Sequence, residues 1–228
     1  NAFNNNDTSE NTSILYCRVD GAGWQAYEGP GRFIKIIGNY VRNSPSGLWV
    51  GSMNSREHLD HLGCGQAVIA DNVIEGIGRN VFGIRVERGA SQVVVANNLF
   101  VNYANNRSKD GHPTSAIFVS NATAPGLPSS RVTVSGNIID LTTPEGPSWP
   151  RIGINVSASG TIVCDNQIYV RGATDPTAIG ISLAEPALDV IVHDNLIRNC
   201  RCGLQAVRAW GQITEVIDPT TFHCTGLP

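Results

Sequence analysis

Between residues 13 and 207 the chain repeats a two-part phrase, and few folds can accommodate such a repeat. The cleanest copy is Val190–Ala206, VIVHDNLIRNCRCGLQA. Its first half reads apolar-x-apolar-x-x-Asn-x-apolar. It recurs at Ile34–Val41, around Asn72 (AVIADNVI), at Val93–Phe100, at Val132–Ile139 and around Asn166 (TIVCDNQI). Ser13–Val19 fits with Cys17 in the place of the asparagine, and Asn1–Phe3 reads as the tail of a further copy. The anchor asparagines Asn39, Asn72, Asn98, Asn137, Asn166 and Asn195 stand 33, 26, 39, 29 and 29 residues apart. The second half, small-apolar-x-apolar, opens at Gly47, Gly83, Ala116, Gly153, Gly180 and Gly203, each copy falling after one anchor and before the next.

Alternation with a period of two marks strands that bury one face. Two strand phrases per repeat, with no helix-period segment between them, exclude βαβ units. A leucine-rich repeat shares an x-L-x-x-N-x-L core, but here the apolar residues are mostly Val and Ile, the spacing is irregular, and the second strand has no place in that repeat. A parallel β-helix accounts for all three facts. Its coils stack about 4.8 Å apart, so inward residues form aliphatic columns. An inward asparagine at a sharp turn satisfies backbone groups of the neighbouring coil, and differences in coil length emerge as loops.

The V-x-V-x-x-N-x-I … G-I-x-V rhythm resembles the right-handed parallel β-helix, or pectin-lyase-like, superfamily. The resemblance implies an all-β, single-stranded, right-handed solenoid of about seven coils with an inward asparagine stack. Residues 1–12 would be an incomplete first coil, 13–207 the regular coils, and 208–228 a C-terminal cap shielding the last strand edges; the whole would be one domain. The superfamily includes polysaccharide lyases, glycoside hydrolases, uronan epimerases, phage tailspikes and non-catalytic surface proteins, so the likeness speaks for the fold more than for a reaction.

Composition narrows the partners. Charged residues make up 15% of the 228 residues, against roughly 25% in an ordinary soluble domain, and 21 asparagines help to supply the polarity. The net charge of -3 provides no basic field for nucleic acid or an anionic membrane. No apolar run approaches the roughly 18 residues of a membrane span. Met53 is the only methionine and the chain opens at Asn1, which suggests a processed or excised piece. Six cysteines leave two readings open: a bridge among Cys200, Cys202 and Cys224 pinning the last segment, or buried free thiols. Five Asn-x-Ser/Thr sequons, at Asn6, Asn11, Asn106, Asn121 and Asn155, bear on function only in a chain secreted from a eukaryotic cell.

The second strand phrase offers one outward residue per coil: Trp49, Arg85, Phe118, Asn155, Ser182 and Gln205. Tyr27 can precede them, since GWQAYEG can be slid by two. Such a column reads as a saccharide track, flat rings stacking on sugar faces while Arg and Asn bond or pair with polar groups; the plainer alternative is rings roofed by loops. The long segments 51–66, 102–115, 120–131 and 140–151 flank this face. They surround Arg85 with Glu57, His58, Asp60 and His61 on one side and Lys109, Asp110 and His112 on the other, and Glu87 follows Arg85 on its own face. The cluster is a candidate active site, although solvated loops also carry charge.

Two mechanisms fit. Elimination at a uronate needs its carboxylate neutralised while a base takes the adjacent proton. Arg85 would neutralise, Lys109 or His112 would be the base, and Asp60 or Asp110 could hold Ca²⁺. Hydrolysis needs two facing carboxyl groups, for which Glu87, Asp60 and Asp110 are available without forming a close pair in sequence. The Arg-x-Pro-x-x-Arg run of pectate lyases, the Asn-Thr-Asp and Asp-Asp pattern of polygalacturonases and the Asp-Pro-His-Glu stretch of alginate epimerases are all missing. No catalytic residue is therefore carried over from a family, and the pair His58 and His61 lacks the further ligands of a metal site. The sequence leads to the expectation of an extracellular or cell-surface polysaccharide-active β-helix, acting as a lyase on an acidic polysaccharide. Trp49, Phe118, Asn155 and Glu87 would bind substrate; Arg85, Lys109, His112, Asp110, Asp60 and His58 would carry the chemistry. The rivals are a non-catalytic carbohydrate-binding or structural β-helix, such as a tailspike stem or adhesin segment, and a glycoside hydrolase.

Overall fold

The computed structural model describes residues 2–4, 10–29, 31–51, 65–76, 82–87, 89–101, 114–120, 129–142, 151–184, 187, 189–207, 215–217 and 221–223. Among these, 24 strands form three parallel sheets of eight, and every third strand in sequence joins the same sheet. The chain is a right-handed parallel β-helix with seven complete coils. In each coil a strand of the first sheet leads through a two-residue corner into a strand of the second sheet, and then into a strand of the third. In the fourth coil these are Ser91–Ala96, Leu99–Val101 and Thr114–Val119.

Register follows the repeat letter by letter. Ile36, Ile69, Val95, Val134, Val163 and Val192 stack in the first sheet. Val41, Ile74, Phe100, Ile139, Ile168 and Ile197 do so in the second. Leu48, Ile84, Ile117, Ile154, Ile181 and Leu204 do so in the third. Nearly all are buried, and each such side chain contributes about 1.5–3 kcal/mol of transfer free energy. A one-residue slip would turn a whole column to solvent, which fixes the register.

The corner between the first and second sheets is two residues long in all seven coils. Its first residue adopts the left-handed conformation: Tyr16, Gly38, Asp71, Asn97, Gly136, Asp165 and Asp194 have φ between 53° and 69°. The second is Cys17 in the first coil and the anchor asparagine in the other six. The Oδ1 of each anchor from Asn72 to Asn195 accepts the backbone N–H and one Nδ2–H of the anchor one coil earlier, at 2.9–3.1 Å. The other Nδ2–H donates to a backbone carbonyl of the preceding coil, as Asn98 does to Ile69 O at 2.9 Å. Cys17 takes the first position of this column: its backbone N–H donates to Asn39 Oδ1 at 2.9 Å.

The glycines that open the third-sheet phrase sit where the chain turns against the second sheet. A Cβ on Gly153 would lie 2.6 Å from Gly180 O and 2.7 Å from Ile168 Cγ2, so no larger residue fits without displacement. Phe3–Asn4 pairs with Tyr27–Glu28, the tail of an earlier coil that the opening residues suggest. Beyond residue 207, Glu215–Ile217 and Thr221–His223 add one strand each to the first and second sheets. Cys17 and Cys164 are free thiols, and the thiols of Cys200 and Cys202 donate to Arg198 O at 3.7 Å and to Leu204 O at 3.2 Å; Cys64 and Cys224 lie outside the described residues.

Candidate functional site on the outer face of the third sheet

Pairing registers place Asn4, Glu28, Trp49, Arg85, Phe118, Asn155, Ser182 and Gln205 in one column on the third sheet. The ambiguity of the first coil resolves in favour of Glu28. Tyr27 aligns with inward Leu48 and is 1% exposed. Ala26 occupies the small-residue position that Gly47 fills one coil later, a signal that fixes the register once it is noticed.

Arg85 is the centre of the described part of this face. Its side chain is 29% exposed and pairs with Glu87, Nη2 to Oε2 at 2.7 Å. Glu87 is fully buried, and its Oε1 accepts the indole N–H of Trp49 at 3.0 Å. The charge of Arg85 is thus met by a carboxylate held beneath the surface, and the indole fixes that carboxylate. Trp49 is 4% exposed. Contrary to the sequence expectation of an open stacking platform, its ring is covered, and its indole N–H is bonded to Glu87.

The open ring surface is supplied instead by two phenylalanines. Phe118 and Phe82 stack with centroids 4.4 Å apart and planes at 17°. The Arg85 guanidinium carbon lies 4.9 Å from the centre of the Phe82 ring, within cation–π range. Strict alternation misses Phe82, because Phe82 and Arg85 are three residues apart and should face opposite ways. The alternation is broken because Gly83 and Ile84 both face inward: a Cβ at Gly83 would meet the interior Phe100 ring, and Ile84 is also buried. Phe82 is therefore returned to the outer surface beside Arg85.

Arg85 Nε and Asn155 Oδ1 are among the buried polar atoms that have no hydrogen-bond partner among the described residues. In the column they flank Phe118, one coil to each side. Next to Asn155, Ser157 donates its hydroxyl to Ser120 Oγ at 3.2 Å, continuing a polar strip from Glu87. Along the axis of the solenoid the face thus carries a partly exposed guanidinium, a paired aromatic surface and an amide side chain.

Of the residues singled out from sequence, Arg85, Glu87, Trp49, Phe118 and Asn155 come together here. His58, Asp60, Lys109, Asp110 and His112, with Glu57 and His61, lie outside the described residues. Among the described residues no group of three or more His, Cys, Asp or Glu side chains could hold a metal ion. No helix of the described residues is long and apolar enough to cross a membrane. No protein-family model, curated protein or solved structure matches the chain.

Proposed function

We propose that the chain is a polysaccharide-active β-helix of the pectin-lyase-like kind, working outside the cell or at its surface. An acidic, uronate-containing polymer would lie along the outer face of the third sheet over the middle coils. The observation that carries this reading is the partly exposed Arg85 guanidinium beside the stacked Phe82 and Phe118 rings, with Asn155 one coil beyond Phe118. A ligand with a carboxylate and a flat C–H face could pair with the one while covering the other. A sugar chain has the required mixture of hydroxyls, carboxylates and flat C–H faces.

If the bound polymer is cleaved, elimination suits these residues better than hydrolysis. Hydrolysis needs two carboxyl groups facing each other across the scissile bond, and Glu87 is buried with both oxygens engaged. Elimination needs a cation on the substrate carboxylate, which Arg85 could supply through its free N–H groups, and a base, for which Lys109 and His112 are the candidates. A non-catalytic binding role is favoured by a different observation: Arg85 is already neutralised by Glu87 at 2.7 Å, which weakens it as an electrophile.

The test is a panel of uronate and neutral polymers, scored both for binding and for the ultraviolet absorbance of unsaturated uronates. Acidic polymers should bind, salt should weaken them, and Arg85→Ala should reduce binding by at least about tenfold with unchanged circular dichroism. A rise in absorbance identifies the lyase, and binding without it identifies the non-catalytic protein. Equal binding by wild type and Arg85→Ala would remove the proposed site.

A further inference from the structure

A second face of the prism carries its own cavity, of about 360 Å³, on the outside of the second sheet near its C-terminal end. That volume lies within the range of small-ligand pockets. Two neighbouring coils build it. The register sets Gln167 beside Leu196 and Tyr169 beside Arg198, and the corner residues Arg171 and Asn199 complete the lining.

The two arginines differ in their surroundings. Arg171 is anchored: its guanidinium pairs with buried Asp140 at 2.6 Å, and its backbone N–H donates to Thr142 Oγ1 at 2.7 Å. Among the described residues exposed Arg198 has no ion pair, and no Asp or Glu lines the cavity. Asn199 is held by two bonds from its Nδ2, to Val170 O and Gly172 O, both at 3.0 Å, which leaves its side-chain oxygen as an acceptor. The lining therefore combines one uncompensated cation, one anchored cation, an aromatic ring, an aliphatic side chain and two amides.

We propose that this cavity is a saccharide site separate from the broad face, taking a single carboxylated sugar residue, a hexuronate. The carboxylate would take a charge-assisted bond from Arg198. The C–H face of the ring would lie against Tyr169 and Leu196, and the hydroxyls would meet Gln167 and Asn199. A neutral hexose would leave the Arg198 charge desolvated without a counter-charge. An inorganic anion would leave the ring and the aliphatic wall uncovered. The site shares no residue with the Arg85 surface, so it holds or fails independently of the reading above.

Calorimetric titration with galacturonate, galactose and inorganic phosphate tests the proposal, using the full chain and the variants Arg198→Ala and Tyr169→Ala. Galacturonate should bind at least about tenfold tighter than galactose or phosphate. Arg198→Ala and Tyr169→Ala should each weaken it by about tenfold or more. If Arg198→Ala fails to fold, Arg198→Gln replaces it with the same expectation. The proposal is overturned by any of three results: no binding of galacturonate, galactose or phosphate binding as tightly, or binding left undiminished by either variant.

Discussion

Replacing Asn98 with alanine removes the central link of the amide column, and the consequence can be counted bond by bond. Asn98 is fully buried. Its Oδ1 accepts from Asn72 N at 3.1 Å and from Asn72 Nδ2 at 2.9 Å. Its Nδ2 donates to Ile69 O at 2.9 Å and to Asn137 Oδ1 at 3.0 Å. After truncation Asn137 Oδ1 still receives the Asn98 backbone N–H at 3.0 Å. Two donors on Asn72 and the carbonyl of Ile69 lose these partners. At about 1–3 kcal/mol for each orphaned group, less what local relaxation recovers, the loss is about 3–6 kcal/mol. That is a large fraction of the stability of an ordinary domain. Asn39→Ala is the internal comparison. It removes the acceptor of the Cys17 N–H and the donor to Ile14 O, both in a half-exposed end coil that water can reach, so the cost should be only about 1–2 kcal/mol. Equilibrium urea unfolding, followed by far-ultraviolet circular dichroism and by tryptophan fluorescence, measures both, and coincident transitions show that one cooperative stack is being compared. A loss below about 1 kcal/mol for Asn98→Ala, or equal losses for the two variants, would refute the idea that the column works as a chain of mutually satisfied amides.

Three further outcomes follow from other positions. Gly153→Ala should cost about 1–3 kcal/mol in thermal or urea unfolding, because the new methyl meets a carbonyl oxygen at 2.6 Å and the Ile168 side chain at 2.7 Å; an unchanged melt would mean that the coils can separate freely. Asp175→Ala should cost about 3–5 kcal/mol, since it strips the partner from buried Arg151, whose pKa is already lowered by desolvation; a urea midpoint equal to wild type would show that water or Leu141 O suffices. Burial, helped by a hydrogen bond to Asp165 and the charges of Asp165 and Asp194, pushes the Cys164 thiol from 9.0 to about 11. The folded state then keeps a proton that the unfolded chain has released, so stability should fall between pH 9.0 and about 11, by on the order of 1 kcal/mol. Cys164→Ala should lack that part of the decline, and identical pH profiles for the two proteins would contradict it.

The asparagine column, the aliphatic columns and the outward column could be read from single letters, because a parallel stack imposes one register on every coil and any mismatch would expose a whole column. What escaped the reading lies where the alternation is locally broken or where burial depends on tertiary cover. Phe82 escaped because Gly83 and Ile84 both face inward, which resets the parity. The depth of Trp49 escaped because alternation says which way a side chain points and nothing about what lies over it. The pairing of Glu87 with both Trp49 and Arg85 joins residues 38 positions apart in one hydrogen bond and two positions apart in one ion pair, and only the stacking of coils relates the two. The cavity at Tyr169 and Arg198 was invisible for a similar reason: the second-sheet strands are three residues long and show no pattern beyond their one inward position.

The two-residue corner described above has an evolutionary corollary. With the same length in all seven complete coils and a left-handed residue always in the lead, that edge holds no insertion in any of them, so their differences in length fall at the two remaining edges, which border the third sheet. The molecule thus separates a frozen spine from a margin that can be rewritten. Loop grafts or library randomisation along that margin should change what is gripped while the spine folds as before.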